Sequence, residues 1–308
     1  RGLGDVYKRQ SSLVEMNSGL QFSNGMSTQD IQEVLIKSAN DLITLDAPNY
    51  QYVAARLLLF TIRKEVFGKH IDHQYEVPLQ FLVGRNIEKG LYDPNIMKWF
   101  NDEEFKTLDS YIKHDRDYNF TYAGLRQVSD KYLVQDRSSG KVFETPQYMY
   151  MLIAATLFHD YPKEIRMGYI KRYYDAISKF KINIPTPVMA GVRTPLKQYA
   201  SCVLVDVDDT LDSIFASDMA IGRYIAQRAG IGINAGRIRG INSRIRGGEV
   251  AHTGVVPFLK KFEATVRCCT QNGVRGGSAT VHFPIWHQEI EDILCLLYTS
   301  DAADDSPS

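Results

Sequence analysis

Cysteines at CxxC spacing are missing from this chain. Its four, Cys202, Cys268, Cys269 and Cys295, are scattered through 308 residues with no CxxC spacing, which indicates neither a structural zinc site nor a disulfide-stapled secreted scaffold. Net charge is missing too. Lys plus Arg and Asp plus Glu number 36 each, so no global field favours nucleic acid or a membrane surface, and partners have to be recognised locally. The longest apolar run, around residues 148–158, is about half of the ~20 residues that a membrane-spanning helix needs. No secretory pattern opens the chain. A cytoplasmic protein with no nucleic-acid or membrane partner is the expectation. What is present is core material: 44% hydrophobic and 11% aromatic residues suit two or three domains.

Both ends differ from what lies between them. Residues 1–10 (RGLGDVYKRQ) carry no amphipathic period, and residues 296–308 break a helical pattern with an acidic, small-residue tail. This reads as non-native sequence over 1–13 and 296–308, flanking an internal fragment of a longer protein.

The first half reads as helical. Ser27 or Thr28 can cap a helix that runs through Leu42, and a second spans residues 50–67 with Gly68 as its stop. Further helical periods cover residues 102–113, 123–131, 147–158 and 163–180, and a hairpin is expected over 132–143 around Ser138, Ser139 and Gly140. At Ile184-Pro185-Thr186-Pro187 the texture changes, the two prolines implying an extended segment. Beyond a boundary near residue 190 come a buried strand at 201–207, a helix at 211–229 and a Gly-rich connection at 230–240. A helix at 255–270, a Gly-rich turn at 273–277, a strand at 278–283 and a helix from Trp286 follow. Alternating strands and helices imply a parallel sheet with loops gathered at the strand ends.

The stretch YASCVLVDVDDTLDSI, residues 199–214, supports two chemistries. Asp206-Val207-Asp208-Asp209-Thr210 is a DxDxT string of the kind a haloacid-dehalogenase-type phosphohydrolase uses. Asp206 would be the nucleophile, Asp208 the acid and base, and magnesium the counter-charge. Such an enzyme also needs a second acidic pair, and no Asp-Asp pair follows residue 214 before the tail. The other signal is Cys202, a thiol at the start of a strand. The glycines of 230–236 match a dinucleotide fingerprint poorly, because they follow a helix.

Longer segments favour the sulfur. TPVMAGVRTP, QYASCVLVD, QRAGIGINAGRIRG, IRGGEVAHTGVVPFLKKFEATV and QNGVRGGSATVHFPIWHQEIE occur in this order. They resemble the large catalytic subunit of class I ribonucleoside-diphosphate reductase. DAPNYQYVAARLLLF and FKTLDSYIKHDRD in the helical half extend the resemblance over about residues 18–295. The fold it implies is α/β. A partial ATP-cone over 14–68 and a helical N-terminal domain over 69–190 would precede the first part of a ten-stranded α/β barrel over 191–295.

The resemblance implies reduction of ribonucleoside diphosphates by thiyl-radical chemistry, with a cysteine pair as the source of two electrons. Cys202 matches one member of that pair. Thr186, Ser201 and Gly230 match substrate-contacting positions. Asp209, Thr210 and Leu211, with Arg239 and Arg246, match a specificity site for a deoxynucleoside triphosphate at a dimer interface. A carboxylate there would accept from a deoxyribose hydroxyl while guanidinium groups meet phosphates. Gln271 and Arg275 fall in the loop that links effector to substrate, and Cys268 and Cys269 precede it as structural residues. Thr28, Phe60 and Lys64 match an activity site, although its first strands are missing and Gln32 stands where histidine is frequent. Implied partners are a small, metal-containing beta subunit that supplies the radical, a second copy of the chain through the barrel helices, ATP or dNTP effectors with magnesium, and thioredoxin or glutaredoxin as reductant. The radical-bearing cysteine and the second cysteine of the pair are expected beyond residue 308, so the chain alone is expected not to turn over.

Overall fold

The computed structural model describes residues 13–19, 21–68, 77–269 and 276–299. The chain divides into two compact units, Arg1–Lys197 and Gln198–Ser308.

The first unit is helical. Helix α1, Thr28–Asp41, starts where the Ser27 hydroxyl accepts from the Asp30 amide. Helix α2, Tyr50–Phe67, ends on Gly68, whose φ of 75° is the left-handed conformation that lets its N–H return to the Lys64 carbonyl. Helix α3, Leu79–Glu88, and the single turn α4, Ile96–Trp99, follow. Helix α5, Asp102–Tyr111, opens on a capping box between Asn101 and Glu104. A 3-10 turn at His114–Asn119 leads to α6, Tyr122–Lys131, capped by Thr121. Helix α7, Pro146–Phe158, is apolar on every side and buried at every position from Pro146 to Thr156, as the central rod of a helical core must be. Helix α8, Lys163–Ser178, packs against it.

The hairpin expected over 132–143 forms in short form: Gln135 bridges Val142 antiparallel, the Phe143 amide donates to the Val134 carbonyl at 2.9 Å and the Asp136 amide to the Lys141 carbonyl at 2.9 Å. Asp136 accepts from Ser138 and Ser139 side chains across its polar turn. Two expectations change here. The proline-marked segment is not wholly extended: Pro185 is, but Thr186–Gly191 forms helix α9 with Pro187 in its first turn, where a missing N–H costs nothing. Helix α8 stops at Ser178, two residues early, with Phe180 at φ 56°.

The second unit is a three-stranded parallel sheet in the order β1, β2, β5 with helices on one face. Strand β1 is Cys202–Asp206, α10 is Leu211–Ala226 and β2 is Gly230–Asn234. Strands β3, Arg244–Ile245, and β4, Val250–Ala251, pair antiparallel. Helix α11, Val256–Cys268, strand β5, Ala279–His282, and helix α12, Ile290–Thr299, complete it. Ile231 and Ile233 bury against Ile214, Ile221 and Ile225 of α10 and Phe262 of α11. The residues expected to be a Gly-rich connection therefore begin with a strand. Gly232 lies close under Leu204 of the neighbouring strand, where a Cβ would sit 2.6 Å from Cδ2 and the exposed leucine side chain would have to shift.

Strand β1 is not buried as expected. It is the sheet's edge, and Cys202, Leu204 and Asp206 alternate onto an exposed face. Nor does a helix start at Trp286: residues 284–289 form turns, and α12 begins at Ile290.

Candidate functional site

The parallel register gives the sheet two chemically different ends. At the N-terminal end Cys202 lies opposite Gly230, and the Gly230 amide donates to the Ser201 carbonyl at 2.8 Å. The Ser201 hydroxyl stands 3.8 Å from the Cys202 sulfur. These three expected site residues therefore share one corner. The thiol there is exposed, so the water-excluding surroundings that a radical needs are not supplied by the described residues. Thr186 begins α9 in the helical unit, where it is half-buried.

At the C-terminal end are the carboxylates. Asp209 accepts from the Arg239 backbone amide at 2.9 Å and from its Nε at 2.6 Å. The two residues expected to meet opposite ends of a nucleotide thus hold each other. Thr210 serves as the N-cap of α10, its hydroxyl accepting from the Ser213 amide, and Leu211 is the first helical residue, 58% exposed. Arg246 tops a hairpin that sequence reading missed. Asn242 and His252 exchange a backbone bond, β3 and β4 pair, and Arg246, Gly247 and Gly248 all have positive φ at the tip. The signal was present as Gly247-Gly248 between two short runs carrying Ile and Val. Gln271 and Arg275 lie outside the described residues.

Asp206 and Asp208 are not arranged as phosphatase groups. Arg237 bridges both, its nitrogens 3.1 Å from Asp206 and 2.9 Å from Asp208, and Asn234 donates to Asp206 at 2.7 Å. Both carboxylates are thus committed to an ion pair with one guanidinium. Among the described residues no cluster of His, Cys, Asp or Glu could hold a metal, and nothing supports the phosphohydrolase reading. Cys268 and Cys269 end α11 with their sulfurs 3.9 Å apart, and Cys295 is exposed on α12.

In the helical unit a cleft of about 760 Å³ brings together Thr28 and Gln32 of α1, Phe60 and Lys64 of α2, and Arg126 and Lys141. Gln32 is turned inward to donate to the Leu57 carbonyl at 2.9 Å. Glu33, Glu65 and Asp130 line the same cleft, so its three cations face three carboxylates.

Residues 118–197 match the family described as "Ribonucleotide reductase, all-alpha domain" and residues 200–305 that described as "Ribonucleotide reductase, barrel domain". The chain is 53% identical over 296 residues to "Ribonucleoside-diphosphate reductase 1 subunit alpha" of Salmonella typhimurium, covering 96% of this chain and 38% of that protein. Identity to the Escherichia coli protein of the same name is 52% over 286 residues, 92% and 37% of the two chains. The "Ribonucleoside-diphosphate reductase subunit alpha" of Enterobacteria phage T4 is 46% identical over 275 residues, 89% and 36%. The chain thus spans somewhat more than a third of the length of these curated relatives. A helical unit followed by the start of a barrel, matched in that order to two domains of one enzyme and at about half identity to its alpha subunits, belongs to the ribonucleoside-diphosphate reductase large-subunit family.

Proposed function

We propose that this chain is the allosteric and reductant-bearing part of a ribonucleoside-diphosphate reductase large subunit. The observation that carries this is the division of β1 and β2 into a thiol end, with Ser201, Cys202 and Gly230, and a carboxylate–guanidinium end, with Asp209 and Arg239. Substrate would lie at the first and a deoxynucleoside triphosphate effector with magnesium at the second. The Ser201 hydroxyl would hold a diphosphate oxygen. Cys202 would give electrons as one of a dithiol pair, with thioredoxin or glutaredoxin restoring it, and the radical would come from a metal-containing small subunit. No described helix is long and apolar enough to cross a membrane, and the reading is of a cytoplasmic enzyme.

Magnesium dTTP titrated into the chain tests the effector site. Asp209→Ala and Arg239→Ala are each expected to weaken binding at least tenfold, about 1.4 kcal/mol. Asp209 both orients Arg239 and has lone pairs left for a sugar hydroxyl. Unchanged affinity in both variants would refute the assignment. In the 760 Å³ cleft, the matched carboxylates offset Lys64, Arg126 and Lys141. We propose that it takes dATP more weakly than the sheet-end site does.

The same reading places a homodimer contact on α10. Leu211, Phe215 and Met219, 58%, 51% and 55% exposed, recur every four residues and form one apolar stripe. It starts next to Asp209, as an effector site at a dimer interface requires. Phe215→Asp is expected to convert a dimer to a monomer in light scattering and to weaken dTTP binding with it. A dimer that persists would exclude this face.

A further inference from the structure

The hairpin topped by Arg246, and the turn with Arg239 that leads into it, are held at the hairpin base by residues from a later part of the chain. Between β5 and α12, residues 284–289 run alongside the segment that leaves β2, and they touch it at successive points. Pro284 lies against Gly236, where a Cβ would come within 2.4 Å of its ring. His287 Nε2 donates to the Ile238 carbonyl at 2.9 Å, while its Nδ1 accepts from the Glu289 amide at 3.1 Å. One neutral tautomer, with the proton on Nε2, satisfies both bonds.

Glu289 closes the series. It is 3% exposed. One carboxylate oxygen accepts from the Ile241 amide at 2.8 Å, and both accept from the Val255 amide, at 3.2 and 3.0 Å. Ile241 and Val255 flank the two stems of the hairpin, so a single carboxylate staples the stems together. Gly254, at φ 91°, makes room for it, since a Cβ there would lie 2.4 Å from Glu289 Oε1. Glu289 also stands just before α12, at the place where an acidic side chain ordinarily caps its own helix. Here the carboxylate points instead into the hairpin base. A buried acceptor that gathers amides from both stems fixes their separation, and with it the aim of Arg246 beyond and the place of Arg239 two residues before Ile241.

We propose that Glu289 is a positioning residue for the effector: its staple presents Arg246 at the hairpin tip, and Arg239 just before the hairpin base, to the phosphate end of a deoxynucleoside triphosphate. This rests on the effector site proposed above. It adds a residue that would touch no nucleotide and that comes later in the chain than residues 270–275.

The test compares magnesium dTTP with dTDP on the 308-residue chain, well below its unfolding temperature, in Glu289→Gln, Gly254→Ala and the control Glu291→Gln on exposed α12. An amide at position 289 removes the charge that strengthens these bonds and turns a donor toward the Val255 N–H or the Ile241 N–H, and an alanine at 254 pushes the carboxylate away from the other side. Both variants are expected to weaken dTTP at least tenfold and dTDP less than threefold, because the staple acts on the phosphate end, while Glu291→Gln leaves both affinities unchanged. A role confined to folding would lower the melting temperature and leave dTTP affinity, or the ratio of dTTP to dTDP affinity, as in the unsubstituted chain; that result overturns the proposal. Normal dTTP binding in both variants, with binding lost in Asp209→Ala, would overturn the staple and leave the effector site standing. Absence of dTTP binding by the unsubstituted chain would overturn both. Failure of both variants to fold would make Glu289 a folding residue and overturn the proposal likewise.

Discussion

Replacing Arg193 with methionine is expected to cost the helical unit about 3–5 kcal/mol of stability, the usual result of stranding one member of a buried ion pair. Arg193 and Glu144 are both fully buried. The guanidinium Nε donates to Glu144 at 2.8 Å and an Nη donates to the Tyr132 carbonyl at 2.9 Å. The other Nη donates to the Met189 carbonyl of α9. Glu144 also accepts from the Val134 amide at 2.7 Å and from the Tyr92 hydroxyl. Burial alone would lower the arginine's proton affinity, but the facing carboxylate outweighs it and the net shift is upward; the Tyr92 phenol is pushed well above its ordinary range by burial and by the same carboxylate. Without Arg193, Glu144 is an uncompensated charge in a dry core. Urea unfolding followed by Trp99, with Trp286→Phe to silence the other unit, measures the loss, and a loss under about 1 kcal/mol would contradict a charged pair. The double variant Glu144→Leu with Arg193→Met is expected to recover only part. Removing both charges relieves the penalty, but the Val134 amide and Tyr92 hydroxyl then lack an acceptor, at about 1–3 kcal/mol for each buried group left unpaired.

What the sequence made legible follows from how local each signal is. Helix α2 was readable to its last residue because its apolar period and Gly68 act within one turn, and the Asn101–Glu104 box is likewise local. Strand β2 was not, because GIGIN carries glycines where strand propensity is poor. Gly232 faces Leu204 on the neighbouring strand, which no window around residue 232 contains. The same holds for the candidate site. Cys202, Ser201 and Gly230 could be chosen from residue type and resemblance, and the parallel register then set them together. The pairing of Asp209 with Arg239 joins positions thirty apart, and the Glu289 staple reaches forty-eight residues back to Ile241. Such contacts leave no period or motif in the chain. The exposure of Cys202 was illegible for a related reason: β1 reads as apolar whether it is central or at an edge, and only the count of neighbouring strands decides which.

A second large effect is expected from pH, through two buried groups that titrate in opposite senses. Asp117 is buried beneath α2, α7 and α8, and burial raises its pKa from 3.8 to about 7. Gln147 of α7 donates to one oxygen at 2.8 Å and is itself held by Tyr174 of α8; the other oxygen has Arg63 of α2 at 3.9 Å and no hydrogen bond. Asp115 and Tyr150 face it as further titratable groups. His114, three residues earlier, is lowered from 6.5 to about 3, first by burial and then by Arg63. Between pH 3.8 and 7 the folded state holds a proton on Asp117 that the unfolded state has released, so this group's stabilisation is full below 3.8 and is lost as pH rises to 7. Between pH 3 and 6.5 the unfolded state holds a proton on His114 that the folded state refuses, so stability from this group rises with pH. In the intact protein the two slopes cancel over most of that range, and each variant unmasks the other. Relative to the unsubstituted chain, Asp117→Asn is expected to gain stability with rising pH between 3.8 and 7, at about 1.4 kcal/mol per pH unit for one proton. His114→Gln is expected to lose stability with rising pH between 3 and 6.5 at the same rate. Difference curves from urea unfolding at intervals across this range cancel the contributions of other carboxylates. Difference slopes of the same sign, or flat lines for both variants, would show that the cluster does not hold one proton on the carboxyl and keep one off the imidazole.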